Sequence, residues 1–313
     1  MSVKPEKLII GTRGSPLALW QAERVRNLLA KIDHTIVFDV KVIKTSGDWV
    51  PEHGEVPLGG NKSSFATEIE QALIAGEIDL AVHSMKDMET VLPDGLVIPY
   101  MLPREDVRDA FLSDQSDTFL TLPEGATVGT VSVRRAAFVL NKRPDLKIVP
   151  LRGNVHTRIE KIKNGQVDAT FLACAGLNRL GLADQARSIV SLDDMLPSVG
   201  QGAIGVEIRE SDLERFEFMQ SMSSEVTFLC VSCERAVLNA LGGSCHTPVG
   251  VLAQIKDDQL HLHVKIISSD GCDVWSHEES VRIGSLKEIV DYGCRVGMHL
   301  KSSVPSHILA YCG

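Results

Sequence analysis

Arginines recur in this chain immediately after short apolar runs. Thr130-Val131-Ser132-Val133-Arg134-Arg135 follows the run at 126–131, and Leu151-Arg152-Gly153-Asn154-Val155-His156-Thr157-Arg158 follows the run at 147–151. Arg13, in Ile10-Gly11-Thr12-Arg13-Gly14-Ser15-Pro16, repeats the arrangement, and Arg179 comes after Ala175-Gly176-Leu177-Asn178. The apolar runs read as buried strands, each leading into a helix-like stretch. Guanidinium groups at the carboxyl ends of parallel strands, beside helix N-termini, form a site for an anion. Cations in a first helical turn oppose the helix dipole, so Arg134 and Arg135 call for an anion more than for solvent. The guanidinium fork accepts carboxylate and phosphate alike, which leaves the ligand open.

Other residue types add to the picture. Lys86-Asp87 lies just past an apolar run at 78–82, where loops commonly carry sites. A carboxylate there could stabilise a cation or exchange a proton with a leaving amine, or could simply pair with its neighbour on the surface. Cys245 sits in the glycine-rich turn Leu241-Gly242-Gly243-Ser244-Cys245-His246-Thr247-Pro248. Most lone cysteines are small core residues, but flexible glycines and an adjacent histidine favour an accessible thiol. Cys230 and Cys233 have metal-pair spacing inside a helical pattern with no second pair nearby, so core packing is expected. His261 and His263 would share one strand face, and Asp48 reads as a turn residue.

Composition narrows the class. The chain has 313 residues, 44% of them apolar and 23% charged, as in an ordinary globular protein of two or three domains. A net charge of -9 and a pI near 5.6 argue against a general nucleic-acid binder, so the arginines mark a local basic cleft. The start carries no apolar signal-like stretch, no run is long enough to span a bilayer, and seven scattered cysteines suggest reduced thiols in a cytoplasmic setting.

The elements that must position these residues alternate strand and helix. Residues 8–12 read as a strand, followed by Ser15 as an N-cap with Pro16 at the first helical position. Leu17, Trp20, Val25, Leu28 and Ile32 suggest the buried face of that helix. Strands are expected at 36–43 and 78–82, with a helix between them through Phe65, Ile69, Ala72 and Leu73 that Gly76 stops. A second series at 108–196 includes a helix from Asn154 through Lys163, ended by Gly165, and a strand at 168–174. Such alternation predicts doubly wound α/β units with ligands at the strand carboxyl ends. After about 222 the pattern changes to a long helix at 224–241, strands at 249–255 and 260–267, and a closing helix at 286–302, which reads as a small α+β domain.

Taken in order, GTRGSPLALWQA (11–22), KTSGD (44–48), AVHSMKD (81–87), RPDL (143–146) and LRGNVHTR (151–158) closely resemble the porphobilinogen deaminases, or hydroxymethylbilane synthases, of tetrapyrrole synthesis. AGLNRLG (175–181), PSVGQGAIGVE (197–207), CERA (233–236) and GGSCHTPVG (242–250) extend the resemblance over nearly the whole chain. It implies two α/β domains like those of periplasmic binding proteins plus a third α+β domain. The implied boundaries are 1–102 with 201–220, then 103–200, then 222–313.

The resemblance also implies a transferase of heme biosynthesis. Four porphobilinogen molecules would be condensed head-to-tail, each with release of ammonia, on a dipyrromethane cofactor bound to Cys245 through a thioether. Hydrolysis would then free linear hydroxymethylbilane. Asp87 becomes the catalytic carboxylate, stabilising the azafulvenium-like cation left by deamination. Arg13, Ser15, Lys86, Thr130, Ser132, Arg134, Arg135, Arg152, Arg158 and Arg179 become binding residues for acetate and propionate groups, and Lys62 falls on a mobile loop. A cytoplasmic monomer is expected, with no metal, nucleic-acid or membrane partner. Val131, Leu58, Ser63-Ser64, Gly242 and Glu89 depart from common family residues. Two other readings use the same features: a non-catalytic two-lobed anion-binding protein, which would not need Cys245, and a hydrolase built on Cys245 and His246.

Overall fold

A computed structural model describes residues 6–45, 66–244 and 246–309. The chain opens with strand β1 (Lys7–Thr12) and helix α1 (Pro16–Ile32). Ser15 caps α1 through its side chain, which accepts from Ala18 N at 3.3 Å, and Pro16 begins the first turn. The buried face of α1 is Gln21, Ala22, Val25 and Leu29, whereas Trp20 and Ile32 are exposed. The helix is thus rotated from the expected stripe, because Gln21 finds a buried polar partner in Ser84. Strand β2 (Val37–Val42), helix α2 (Thr67–Ile74), strand β3 (Leu80–Ser84) and strand β4 (Leu96–Met101) follow.

Next come β5 (Asp109–Ser113), β6 (Thr127–Gly129), α3 (Val133–Lys142), β7 (Lys147–Val149), α4 (Val155–Lys163), β8 (Ala169–Ala173), α5 (Cys174–Arg179), β9 (Ser188–Ile189) and β10 (Ile204–Arg209). Ser132 and Asn154 cap α3 and α4 with their side chains. Strands β6 and β7 are each three residues long, shorter than their apolar runs, because the chain turns toward the helix cap as soon as the ladder ends.

Among the described residues, one compact unit comprises those up to Glu105 together with Ala203–Phe228; a second comprises Asp106–Gly202 and those from Leu229 onward. The first unit's sheet has the order β2-β1-β3-β10-β4. β1 runs parallel to β2 and β3, while β10 is antiparallel to both β3 and β4. The second unit's sheet, β7-β6-β8-β5-β9, repeats the plan, with β6 parallel to β7 and β8 and β5 antiparallel to β8 and β9. Each sheet is therefore mixed, with three parallel strands and an antiparallel pair. Apolar side chains cover both faces of each. Leu8, Ile10, Val25, Leu29 and Phe216 pack on one side of the first sheet, and Ile69, Leu73, Ile78 and Ala81 on the other.

The second unit also contains helix α6 (Glu225–Leu241) from Leu229 onward, the antiparallel sheet β11 (Val249–Lys256), β12 (Gln259–Ile267) and β13 (Val274–Arg282), and helix α7 (Leu286–Ser303). This small C-terminal α+β domain has its own core, including Val237, Val251, Leu262, Val264 and Val296. β13 is not evident in the sequence, since its burial pattern is mostly exposed and its residues are polar. Gly293 and Gly297 let α7 approach α6: a Cβ at either would lie 2.6 Å from Cys233 O or 2.5 Å from Val237 O.

Glu234, fully buried on α6, accepts from Gly200 N at 2.8 Å and Ala253 N at 2.9 Å, so one carboxylate joins the helix to β11 and to the segment before β10. Removing it strands two buried donors. Glu234→Ala should lower the stability of the second unit by roughly 2–4 kcal/mol, read from the urea midpoint. A midpoint unchanged from wild type would show that the carboxylate does not brace the fold.

Candidate functional site

In the first unit, parallel pairing of β1 and β3 brings their carboxyl ends to one edge of the sheet. Arg13 and Ser15 follow β1, and Asp87 closes a single 3-10 turn (Met85–Asp87) after β3. Met85 is buried and packs over Gly205, where a Cβ would overlap its sulfur, so the turn is anchored from below and Asp87 stays exposed. Arg13, Ser15, Gln21, His83, Ser84 and Asp87 line one cavity. Lys86, half-buried, belongs to the same turn.

Five polar residues here, Gln21, Glu70, His83, Ser84 and Glu207, were not singled out by sequence reasoning. Gln21 and Ser84 exchange hydrogen bonds at 2.9 and 3.1 Å. His83 Nε2 lies 2.9 Å from Oε2 of Glu207, a fully buried side chain on β10 whose Oε1 has no partner. Glu70, on α2, has its carboxyl pushed up by burial and by the charge of Glu207, with Glu89 adding to the effect and His83 opposing it. The available signal was a polar residue inside each apolar run, which alone does not distinguish a site from a satisfied core group.

In the second unit, β6 pairs in parallel with β7 and β8, so the junctions that follow these three strands share an edge. Thr130 is buried, and its hydroxyl accepts from Ser132 N at 3.0 Å. Arg152 is half-buried, with a buried Nε that has no partner, and Arg158 Nε donates to Gly153 O at 2.9 Å. Arg179, at the end of α5, is buried and donates from Nη2 to Gly202 O at 2.6 Å.

Arg134 and Arg135 are buried as well, and the protein supplies an anion of its own. Both donate to Asp109 at 2.7 Å, one to each carboxylate oxygen. Arg134 Nη1 also reaches Leu196 O at 2.6 Å and Arg135 Nη1 reaches Phe171 O at 2.8 Å, while neither Nε atom has a partner among the described residues. Gln201 Nε2 adds a contact of 3.1 Å to Asp109. Burial pushes the Asp109 carboxyl up, but the two guanidiniums more than reverse this and hold it well below the usual carboxylate range. Asp109 was missed because it sits at the head of an apolar run, where only the folded sheet turns it toward α3. The cluster keeps one net positive charge.

Lys62, Cys245, Asp48, Leu58 and Ser63-Ser64 lie outside the described residues. Cys230 and Cys233 are buried, and burial followed by the charge of Glu234 pushes the Cys233 thiol up to about 12, so it packs rather than reacts. His261 and His263 share a half-buried strand face, with His261 Nδ1 2.6 Å from Ser280 Oγ.

Comparison with known proteins decides the family. Residues 8–217 match the model described as porphobilinogen deaminase, dipyromethane cofactor binding domain, and residues 228–302 match porphobilinogen deaminase, C-terminal domain. The chain belongs to the porphobilinogen deaminase family. Porphobilinogen deaminase of Nitrobacter winogradskyi is 47% identical over 295 residues, 93% of this chain and 92% of that protein. That of Paracoccus denitrificans is 47% identical over 300 residues, 95% and 94% of the two chains. The chloroplastic enzyme of Oryza sativa subsp. japonica is 44% identical over 300 residues, 94% and 83% of the two. Solved structures resemble the chain more distantly: the methionine-binding protein MetQ has a TM-score of 0.45 at 15% identity, covering 72% of this chain and 93% of that one. Porphobilinogen deaminase membership favours the enzyme over the non-catalytic binder, and the first family domain is the one that binds the dipyrromethane cofactor. No helix among the described residues is long and apolar enough to cross a membrane.

Removing Asp109 would leave two buried guanidiniums uncompensated. Asp109→Ala should destabilise the second unit by about 3–5 kcal/mol at neutral pH. Because the folded carboxyl titrates below its unfolded value near 4, its contribution is complete above that pH and disappears only in stronger acid. Urea midpoints of wild type and variant should therefore keep a constant gap from pH 8 to about 5. A gap that closes within that range would contradict the assignment.

Proposed function

We propose that this chain carries out the reaction of its family, as a hydroxymethylbilane synthase. It joins four porphobilinogen molecules head-to-tail, expels ammonia at each addition and releases the linear tetrapyrrole by hydrolysis. The observation that carries the reading is the placement of Asp87, an exposed carboxylate lining a cavity with Arg13 and Ser15. A carboxylate beside cationic donors suits a substrate that is itself anionic yet develops positive charge as its amine departs. Asp87 stabilises that charge where it forms, the preorganised kind of electrostatic catalysis.

Every porphobilinogen brings two carboxylates, so the chain under construction becomes strongly anionic. Arginine keeps its charge when partly buried, and this sets the residue type at Arg13, Arg134, Arg135, Arg152, Arg158 and Arg179, with Ser15, Lys86, Thr130 and Ser132 as further donors. The donor set fits a dipyrromethane: the buried Nε atoms of Arg134, Arg135 and Arg152 have no hydrogen-bond partner among the described residues, and the Asp109 cluster retains positive charge. When bound, that group supplies the pyrrole end to which substrate is joined, and its thioether to Cys245 makes each addition effectively intramolecular. Lys62 adds a further cation for the growing chain. The enzyme works as a cytoplasmic monomer without metal, nucleic-acid or membrane partners.

Intact mass under denaturing conditions tests the covalent claim. The purified chain should be heavier than its sequence by two pyrrole units, and Cys245→Ser should lose the excess; active enzyme of unmodified mass would refute it. Asp87→Asn should retain cofactor and near-normal KM while hydroxymethylbilane formation falls by about 10²–10³-fold. Normal turnover in that variant would remove Asp87 from the chemistry.

A further inference from the structure

Each condensation forms one carbon–carbon bond and breaks the aminomethyl carbon–nitrogen bond. It also strips one proton from the pyrrole carbon that has been joined, and the departing ammonia and this proton together equal one ammonium ion. Asp87, as the stabiliser of developing positive charge, is best kept ionised, so the proton calls for a second acceptor. Imidazole is the side chain whose ordinary basicity lies nearest neutrality.

His83 lines the cavity together with Asp87 and is 7% exposed. Its Nε2 is taken up by Glu207 at 2.9 Å, while nothing among the described residues bonds Nδ1. Glu207 is 0% exposed and has an unpartnered Oε1, so a buried carboxylate stands ready to stabilise an imidazolium. The ring meets Glu207 from β10, and Glu70 on α2 and Glu89 beyond the 3-10 turn extend the acidic surroundings. On the cavity side stand Asp87 and Arg13. This arrangement, a base oriented through one nitrogen by a buried carboxylate, is more than a packed histidine needs, since a neutral core histidine is satisfied by a backbone carbonyl.

We propose that His83, oriented by Glu207, accepts through Nδ1 the proton released from the joined pyrrole carbon and passes it to solvent or to the departing ammonia. The inference rests on the deaminase reading: a wild-type chain that releases no ammonia from porphobilinogen would defeat that reading first, whereas the outcomes below bear on His83 itself.

The test uses full-length wild type, His83→Gln and Glu207→Gln. Equal cofactor loading is checked by intact mass, and kcat and KM are measured against pH from 5.5 to 9. His83→Gln should lower kcat by about 10²–10⁴-fold with KM within about threefold, and should lose the acidic limb of the kcat profile. In Glu207→Gln the acidic limb of the kcat profile should move to lower pH, because a neighbouring negative charge has been removed. A His83→Gln enzyme with the wild-type pH profile and only lower thermal stability would overturn the proposal. Should His83→Gln fail to fold, a Glu207→Gln profile whose limb stays in place would do the same.

Discussion

Two adjacent arginines buried in the first turn of a helix require an anion, and much of the second unit is arranged around the one that the chain provides. Asp109 bridges Arg134 and Arg135, while Nη1 of each reaches a carbonyl, that of Leu196 or Phe171. The start of α3 is thereby tied to β5, to β8 and to the segment that precedes β10. An isolated charge in such surroundings would be prohibitive, and even a pair repays its desolvation only when its hydrogen bonds are well made. Here three charged groups and Gln201 share hydrogen bonds, with a net positive charge left over. The cluster thus serves two ends, holding Thr130 and Ser132 at a defined helix start and biasing their neighbourhood toward anions.

The first unit solves a related problem with different chemistry. Its sheet shares the strand plan of the second, three parallel strands and an antiparallel pair, and again places its functional groups where the parallel strands end. Its buried carboxylate, Glu207, is matched by an imidazole instead of guanidiniums. An arginine holds its charge across the working pH range, whereas histidine can give up and regain a proton. The buried carboxylate of the second unit is thus matched by permanently charged partners, and that of the first by an imidazole.

Local features were legible in the chain itself. The caps at Ser15 and Asn154, the α4 helix, the strands leading to Asp87 and Arg152, and the α+β character of the C-terminal domain rest on turn chemistry and periodicity within a few residues. Ordered motifs carried the family. The exposed face of α1, the strand β13 and the antiparallel entry of β10 were not legible, because each depends on which distant segment packs alongside. The arginines could be read as anion ligands, but not the fact that Asp109 already occupies two of them.

By itself, then, the sequence determined the kinds of element, the residue types at the strand ends and the family to which the chain belongs. These depend on short-range backbone preferences and on motifs whose order survives without knowledge of the fold. Tertiary structure alone decided that Asp109 stands between Arg134 and Arg135, 25 and 26 residues away in the chain, and that Glu207 meets His83 across 124 residues. Side chains so far apart in sequence acquire partners only when strand order and direction are settled, and burial then makes those partners obligatory.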